Sequence, residues 1–542
     1  MDIINKLTEL NIETNRTKIS TFDMINIIDD LIDNDSKIKN ILTNYNDNSF
    51  EYNHLKKIIL HDRYIDCVNL LNNHYTNGFL DIFFIINNVQ LFGSDIFNVI
   101  YNRRHEINKI TSHIKKCWEK ILNSDLIKFY NSILINKWIE TLEFKLIDKY
   151  DYLKHDKSSE IEYNKYLEIF KIFDKNVCIL RDFVYKISDK IKNVNHPGCY
   201  NLHESYYFFY ISLFTGLDIN RDKLKILFKY ALKELSRLTE EYKNLIKKIK
   251  PEISHLDIRD INNIIKNDNT FKFKSKDDFK KIHKKLIDEL HKYYIEINNI
   301  KEYKPVNLSF IDDPNLATAY WAYDTFYLNV ANWDKINTYE SLALTLHEAI
   351  PGHHTQLNYS INSKNKPIHI LYHLFGITNG FCEGWALFME SNYPYYTNTD
   401  HIGRLQYEIL RTLRIVVDIG LNFVGLTIED CKEFMKKYVT FDDKIIESEL
   451  FRYITIPGQA LCYKIGCEIF RKIQNKYPLI GLEKEKKDKG ILNGISIKTP
   501  INHLTDNKND YMKLYKKIIY GKEKSLECLL RENNLSFEDV FT

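Results

Sequence analysis

RDKLKILFKYALKELSRLTEEYKNLIKKIK (residues 221–250) carries apolar side chains at three- and four-residue spacing over most of its length. That period puts them on one stripe of an α-helix and leaves the lysines and glutamates facing outward, so the segment predicts a long amphipathic helix. The rest of the chain leans the same way. Only 17 glycines and 10 prolines occur in 542 residues, well under the roughly 12% the two supply on average. Tight β-turns need those residues, so long helices are favoured and an all-β fold is not. Before Pro197 only Gly78 and Gly93 interrupt the chain, and residues 1–196 read as consecutive amphipathic helices joined by Asn/Asp-rich turns. YLNVANW (327–333), with its β-branched and aromatic residues, allows a short strand.

A chain of this length exceeds the roughly 250–300 residues that one core serves. The expectation is a mainly helical fold of two lobes around a central cleft, with at most a small β-sheet. HPGCYNLHE (196–204) is the candidate boundary between an N-terminal helical lobe, 1–196, and a site-bearing region, 197–542, although the two can equally form one continuous unit. With 44% apolar and 27% charged residues, wholesale disorder is ruled out. The net charge of +3, from 76 basic and 73 acidic residues, creates no field for a polyanion, so no nucleic-acid partner is expected. Nine cysteines are scattered without a C-x-x-C pair, which fits a reducing compartment. MDIINKLTELNIET at the N-terminus lacks the unbroken apolar core of a secretory signal. No stretch approaches the ~18 consecutive apolar residues of a membrane span. A soluble, cytoplasmic protein with no membrane partner is therefore expected.

Pro351, Gly352, Pro367, Gly376, Gly380, Gly384 and Pro394 crowd into one zone of an otherwise Gly/Pro-poor chain. Such crowding predicts a bent backbone there. Within it, NTYESLALTLHEAIPGHHTQ (337–356) opens on Asn337 as a candidate N-cap with Glu340 three positions on. Leu342, Leu346 and Ala349 recur at helical spacing and would face the core. In metallopeptidases H-E-x-x-H sets two imidazoles one turn apart on a zinc ion, with the Glu over a water. Here the position four after His347 is Pro351, and His353 and His354 follow six and seven residues after His347. On a straight helix that separation rises by about 9–10 Å, too far for a shared ion. Pro351-Gly352 would supply the distortion as a bulge that brings a later His back. His353 is favoured, because Gly-His closes the metal motif in several helical peptidases, and His354 is the alternative.

FCEGWALFMES (381–391) offers the third ligand, Glu383, on a second helix, and Glu390 seven residues later shares its face and could hold a ligating His by hydrogen bond. Two His and one Glu leave a coordination position open for water.

These segments resemble the family catalogued as domain of unknown function 885. Its HEAxPGHHxQ and EGWA motifs are matched by His347 to Gln356 and Glu383 to Ala386. Its R-x-x-R-x-V-V-D-x-G-L helix is matched by Arg411 to Leu421, and R-Y-x-x-x-P-G-Q-A-x-x-Y-K-x-G by Arg452 to Gly466. ESYYFFYISLFTGLDI (204–219) is similar to its tyrosine-pair segment. The likeness runs from about residue 200 to the C-terminus. It implies a helical, gluzincin-like metallohydrolase related in architecture to helical oligopeptidases. Two departures stand out: Leu514-Tyr515 replaces a Phe-His pair, and 480–508 looks like a lysine-rich insertion.

The resulting expectation is one Zn²⁺, or another divalent ion, on His347, His353 and Glu383, with Glu348 as general base and a short peptide as substrate. Tyr463, Tyr453 and Arg452 are candidate donors to the oxyanion. Arg411 and Arg414, three apart on a helix, could grip a peptide carboxylate, or Arg414 could pair with Asp418. Gln459 and Pro457-Gly458 read as a tight turn, and Cys382 as a buried small hydrophobe. The competing readings are a catalytically inactive helical binding or scaffold protein that keeps the fold, and a metal-dependent esterase or amidase using the same site.

Overall fold

The computed structural model describes residues 35–45, 47–61, parts of 101–119, 160–191, 204–296, 303–312, 318–322, 325–362, 377–393, 397–476 and 524–542. The boundary at 196–203, the insertion at 480–508, Leu514-Tyr515, Pro367, Gly376 and Pro394 lie outside these residues. The described elements, in chain order, are α1 (Asp35–Asn44), α2 (Phe50–Ile59), α3 (Glu160–Ile191), α4 (Glu204–Thr215), α5 (Arg221–Ile249), α6 (Ile258–Asn267) and α7 (Lys276–His291). The strands β1 (Asn307–Ile311), β2 (Ala319–Ala322) and β3 (Thr325–Asn329) follow, then α8 (Ser341–Glu348), α9 (His353–Asn362), α10 (Asn379–Asn392) and α11 (Asn398–Ile419). The chain closes with α12 (Ile428–Lys436), α13 (Asp443–Thr455), α14 (Cys462–Lys476), α15 (Leu526–Glu532) and α16 (Phe537–Phe541). The fold is mainly α, as its scarcity of turn residues predicts.

Helix α5 starts where Asn220 accepts a hydrogen bond from the Lys223 N–H, with Asp222 in its first turn and Lys247 and Lys248 in its last. Both charges oppose the helix dipole favourably. Its apolar stripe, Leu235, Leu238, Tyr242, Leu245 and Ile246, packs against Leu405, Ile409 and Leu413 of α11 in one core.

The sheet has the order β1-β3-β2. β1 runs parallel to β3 with Asn307 opposite Thr325, and β2 antiparallel with Ala319 opposite Leu328. YLNVANW is strand only as far as Asn329; Val330–Asn332 turn into a 3₁₀ helix. Phe326 and Leu328 on β3 share a second core with Leu342, Leu346 and Ala349, so the sheet backs the helix that carries His347.

Gly380 and Gly384 do not bend the chain. Both lie inside α10, which presses on α14: a Cβ on Gly384 would stand 2.4 Å from Cα of Gly466, and one on Gly466 2.1 Å from the Gly380 carbonyl oxygen. Bare backbone there lets the helices touch, with Phe381 and Trp385 edge to face on Phe470 and Phe388 tilted against it.

Lys464, fully buried on α14, ties three helices together. Its ammonium lies 2.9 Å from Glu234 on α5, 2.6 Å from Glu408 on α11 and 2.7 Å from Glu468 on its own helix. Burial alone would lower its pKa, but Glu408 and Glu468 hold it above the ordinary lysine value.

Candidate metal centre

Helix α8 is preceded by a 3₁₀ turn, Thr338–Glu340, in which the Asn337 N–H donates to Glu340 Oε1 at 2.8 Å. The helix stops at Glu348. A single bulged helix through Pro351-Gly352, as the spacing suggests, is not what forms: the Ile350–Pro351 peptide is cis and a new helix, α9, begins at His353. Gly352 makes the reversal possible, since a Cβ there would sit 1.8 Å from the carbonyl oxygen of His347. The turn is pinned by the Trp385 indole N–H, which donates to the Pro351 carbonyl at 2.9 Å, and by the Thr355 N–H on Ala349 O at 3.3 Å. Proline, lacking an N–H, ends the first helix, and the folded-back turn presents His353 to His347.

The two rings meet edge to face, 4.8 Å between centroids at 87°. Glu383, in the first turns of α10, completes the group: its Oε2 lies 3.6 Å from His347 Nε2 and 3.5 Å from His353 Nε2. Each of the three residues offers a ligand atom within 4.8 Å of the others. Separations of 3.5–3.6 Å are long for hydrogen bonds. They suit neighbouring ligands on one ion, whose tetrahedral edge is about 3.3 Å for bonds near 2.0–2.1 Å. Among the described residues, Glu383 Oε2 is buried with no hydrogen-bond partner. A carboxylate oxygen and two ring nitrogens facing one another call for a cation among them, so the donor set fits a divalent metal.

On its other side His347 donates from Nδ1 to Glu390 Oε1, 2.6 Å away, so an ion that displaced the second ring proton would find its lone pair on Nε2, the nitrogen facing Glu383. Burial works to lower the His347 pKa, but Glu383, Glu390 and Glu348 outweigh it and raise it to about 9. Burial likewise works to raise Glu383, yet His347 and His353 hold it well below the carboxylate range. Glu348, half-buried at the end of α8, has no hydrogen-bond partner among the described residues.

His354 is turned away. Its Nε2 donates to the Lys304 carbonyl at 2.8 Å, its Nδ1 faces the Trp321 indole N–H at 3.4 Å, and burial lowers its pKa. Of the two alternatives for the second imidazole, His353 is the one that reaches the cluster.

Tyr463 on α14 lies beside the centre, its ring 6.3 Å from that of His347 and inclined by 15°. Burial, then the charge of Glu383, raise its phenol pKa, so the hydroxyl stays a donor. The guanidinium groups of Arg414 and Arg411 lie 4.9 and 6.0 Å from the Tyr463 ring centre, so both arginines face one side, as their spacing predicts. Asp418 is not the partner of Arg414. Glu449 is, at 3.1 Å, while Asp418 accepts from Tyr207 at 2.7 Å and from the Gly458 N–H at 3.0 Å.

Tyr453 is removed from the oxyanion role: it is wholly buried in the α5–α11–α13 core, its hydroxyl given to Glu449 at 2.5 Å. Arg452 approaches Glu449 at 3.4 Å and Gln459 at 3.5 Å rather than the His347 cluster. Gly458 holds the turn the sequence predicts, at φ 82°. Cys382 is only half-buried, and its sulfur takes a contact from Gln356 Nε2 at 3.1 Å. Glu449, which gathers Arg414, Arg452 and Tyr453, is the residue that motif reading misses. Its position three before Arg452 and four before Tyr453 was the available signal.

No helix among the described residues is long and apolar enough to cross a membrane. No curated protein matches the chain. Among solved structures, a "putative lipoprotein" from Colwellia psychrerythraea superposes with a TM-score of 0.66 at 14% identity, over 98% of this chain and 96% of the other. A "putative lipoprotein of unknown function" from Shewanella oneidensis gives 0.63 at 16% identity, over 98% of each chain. At such identities the likeness shows a shared fold. Residues 201–481, more than half of the chain and inclusive of His347, His353 and Glu383, match the model of a family described as "bacterial protein of unknown function (DUF885)", and the chain belongs to that family.

Proposed function

We propose that this protein is a gluzincin-like, metal-dependent hydrolase of short peptides. One observation carries the reading: His347, His353 and Glu383, from three different helices, turn their ligand atoms toward a common point, where Glu383 Oε2 is buried without a partner. Bound there, a divalent ion supplies Lewis acidity that makes water acidic enough to attack a carbonyl near neutral pH. The His/Glu donor set favours Zn²⁺, with Mn²⁺ or Co²⁺ as alternatives. Glu390 holds His347 in the tautomer whose Nε2 is free to ligate. Glu348 receives the proton of the attacking water and returns it to the departing nitrogen. The Tyr463 hydroxyl donates to the carbonyl oxygen as negative charge develops on it. A cytoplasmic location belongs to the same reading, supported by the free cysteines 178, 382, 431, 462, 467 and 528.

The test is elemental analysis of purified protein, followed by hydrolysis of a short-peptide library with and without chelator. One ion per chain and chelator-sensitive cleavage are expected. Glu348→Gln should keep the ion and lose about 10²–10⁴-fold in rate. A Glu348→Gln variant as fast as wild type would remove the general-base assignment. Metal-loaded protein that cleaves no peptide would leave a binding protein built on this fold.

A further inference from the structure

We infer that the site acts on chain ends: Arg411 receives a free C-terminal carboxylate, and hydrolysis releases one or two residues from the C-terminus of a short peptide. The inference deepens the hydrolase reading and rests on it.

Arg411 is 9% exposed, yet among the described residues its guanidinium finds almost no acceptors. Its Nε is buried and unpartnered, its nearest backbone oxygen is that of Tyr407 at 3.4 Å, and its nearest carboxylate oxygen, Glu390 Oε1, is 3.7 Å away. That oxygen is already taken by His347 at 2.6 Å. The other arginines of α11 are not left so. Arg404 holds Glu241 at 2.7 Å and Glu408 at 2.9 Å, and Arg414 holds Glu449 at 3.1 Å. A buried guanidinium offers five N–H donors in a rigid fork, and leaving them unmatched is costly. The ligand that matches such a fork is a carboxylate, in two parallel hydrogen bonds.

The position suits a substrate end. Contacts of 3.7 and 2.6 Å and the width of one imidazole link the Arg411 fork to Nε2 of His347, so the two are no further apart than about two residues of extended chain. Tyr463 neighbours both, its ring centre 6.3 Å from that of His347 and 6.0 Å from the Arg411 guanidinium. A terminal carboxylate supplies the acceptors that the Arg411 fork lacks, and an internal segment of a long peptide brings no such group. In the reaction water adds to the scissile carbonyl and the C–N bond breaks. The proton taken by Glu348 goes to the new amine, so peptide and water give two shorter products.

The experiment compares a tripeptide library as free acids with the same library amidated at the C-terminus, using the metal-loaded protein. Acids should be cleaved with kcat/KM roughly 10²-fold above amides, the difference lying mainly in KM. Arg411→Lys and Arg411→Gln should shrink that ratio toward one. If Arg411 were only a strut for Glu390, its loss would slow acids and amides alike and leave the ratio intact, which would overturn the inference. Equal cleavage of acids and amides by wild type would overturn it too, while the hydrolase reading stood. A second readout needs no turnover: binding of acetyl-Ala-Ala and of its amide to metal-free protein, followed by saturation-transfer NMR. The acid should bind at least tenfold more tightly than the amide, and Arg411→Gln should abolish the difference. Equal binding would sink the carboxylate site even if no peptide were ever cleaved.

Discussion

Oε1 of Glu390 lies 2.6 Å from Nδ1 of His347, while Nε2 of the same ring faces Glu383. One imidazole thus has an acidic group beside each nitrogen, and Glu390, the one that is hydrogen-bonded, fixes which nitrogen donates outward. Glu390→Gln keeps the shape but weakens that control, because its amide can present a donor where an acceptor is needed. Metal affinity should fall roughly 10–100-fold, measured by competition with a chromogenic chelator. An unchanged affinity would show that Glu390 does not steer the ring.

The adjacent histidines should separate cleanly. His353→Ala should lose the ion on dialysis, whereas His354→Ala should retain it, since the His354 ring is spent on Lys304 O and Trp321. Elemental analysis reads both. Retention of metal by His353→Ala together with loss by His354→Ala would reverse the ligand assignment.

Gly466→Ala should destabilise by about 3 kcal/mol, because the new methyl would meet the Gly380 carbonyl oxygen at 2.1 Å and force α10 from α14. Denaturant midpoints give the loss. As Glu383 rides on α10, the variant should also bind metal more weakly.

His283 gives a pH signature away from the candidate metal centre. Its ring is fully buried between Phe273 and Phe279, its Nδ1 bonded to the Phe279 carbonyl at 2.9 Å. Burial pulls its pKa from 6.5 down to about 4. Above pH 6.5 the ring is neutral in both folded and unfolded chains and costs nothing. As pH falls from about 6.5 to about 4, only the unfolded chain takes up the proton, and stability drops by up to about 3 kcal/mol. Urea unfolding at pH 7.5 and pH 4.5 should show that loss, and His283→Leu should remove this share of it. A variant with the same pH dependence as wild type would contradict the assignment.

Much of this was legible in the residues. The helix at 221–249 follows from spacing alone, and Glu383 and Glu390 from their sharing one helical face. What escaped depends on contacts between distant parts of the chain. Gly380 and Gly384 read as bends because nothing local announces that Gly466 will press against them. Pro351-Gly352 read as a bulge, since the approach of Gly352 to the His347 carbonyl is a matter of three-dimensional fit. Tyr453 looked available because its neighbours in sequence are Arg452 and a turn, whereas its hydroxyl is claimed by Glu449 one helical turn earlier.

The triad of Glu234, Glu408 and Glu468 is the second acidic ligand set among the described residues, and Lys464 and Arg471 already fill it. The molecule therefore carries a built-in comparison for any loading experiment. A nest of carboxylates with a tethered ammonium should ignore added ions, while the pair of imidazoles with its lone acid should not. Titrated with zinc, wild type should saturate at a single equivalent, because Lys464 and Arg471 already neutralise the second cluster. Which positive charge a cluster receives, one supplied by the ribosome or one collected from solution, is what distinguishes mortar from machinery in this chain.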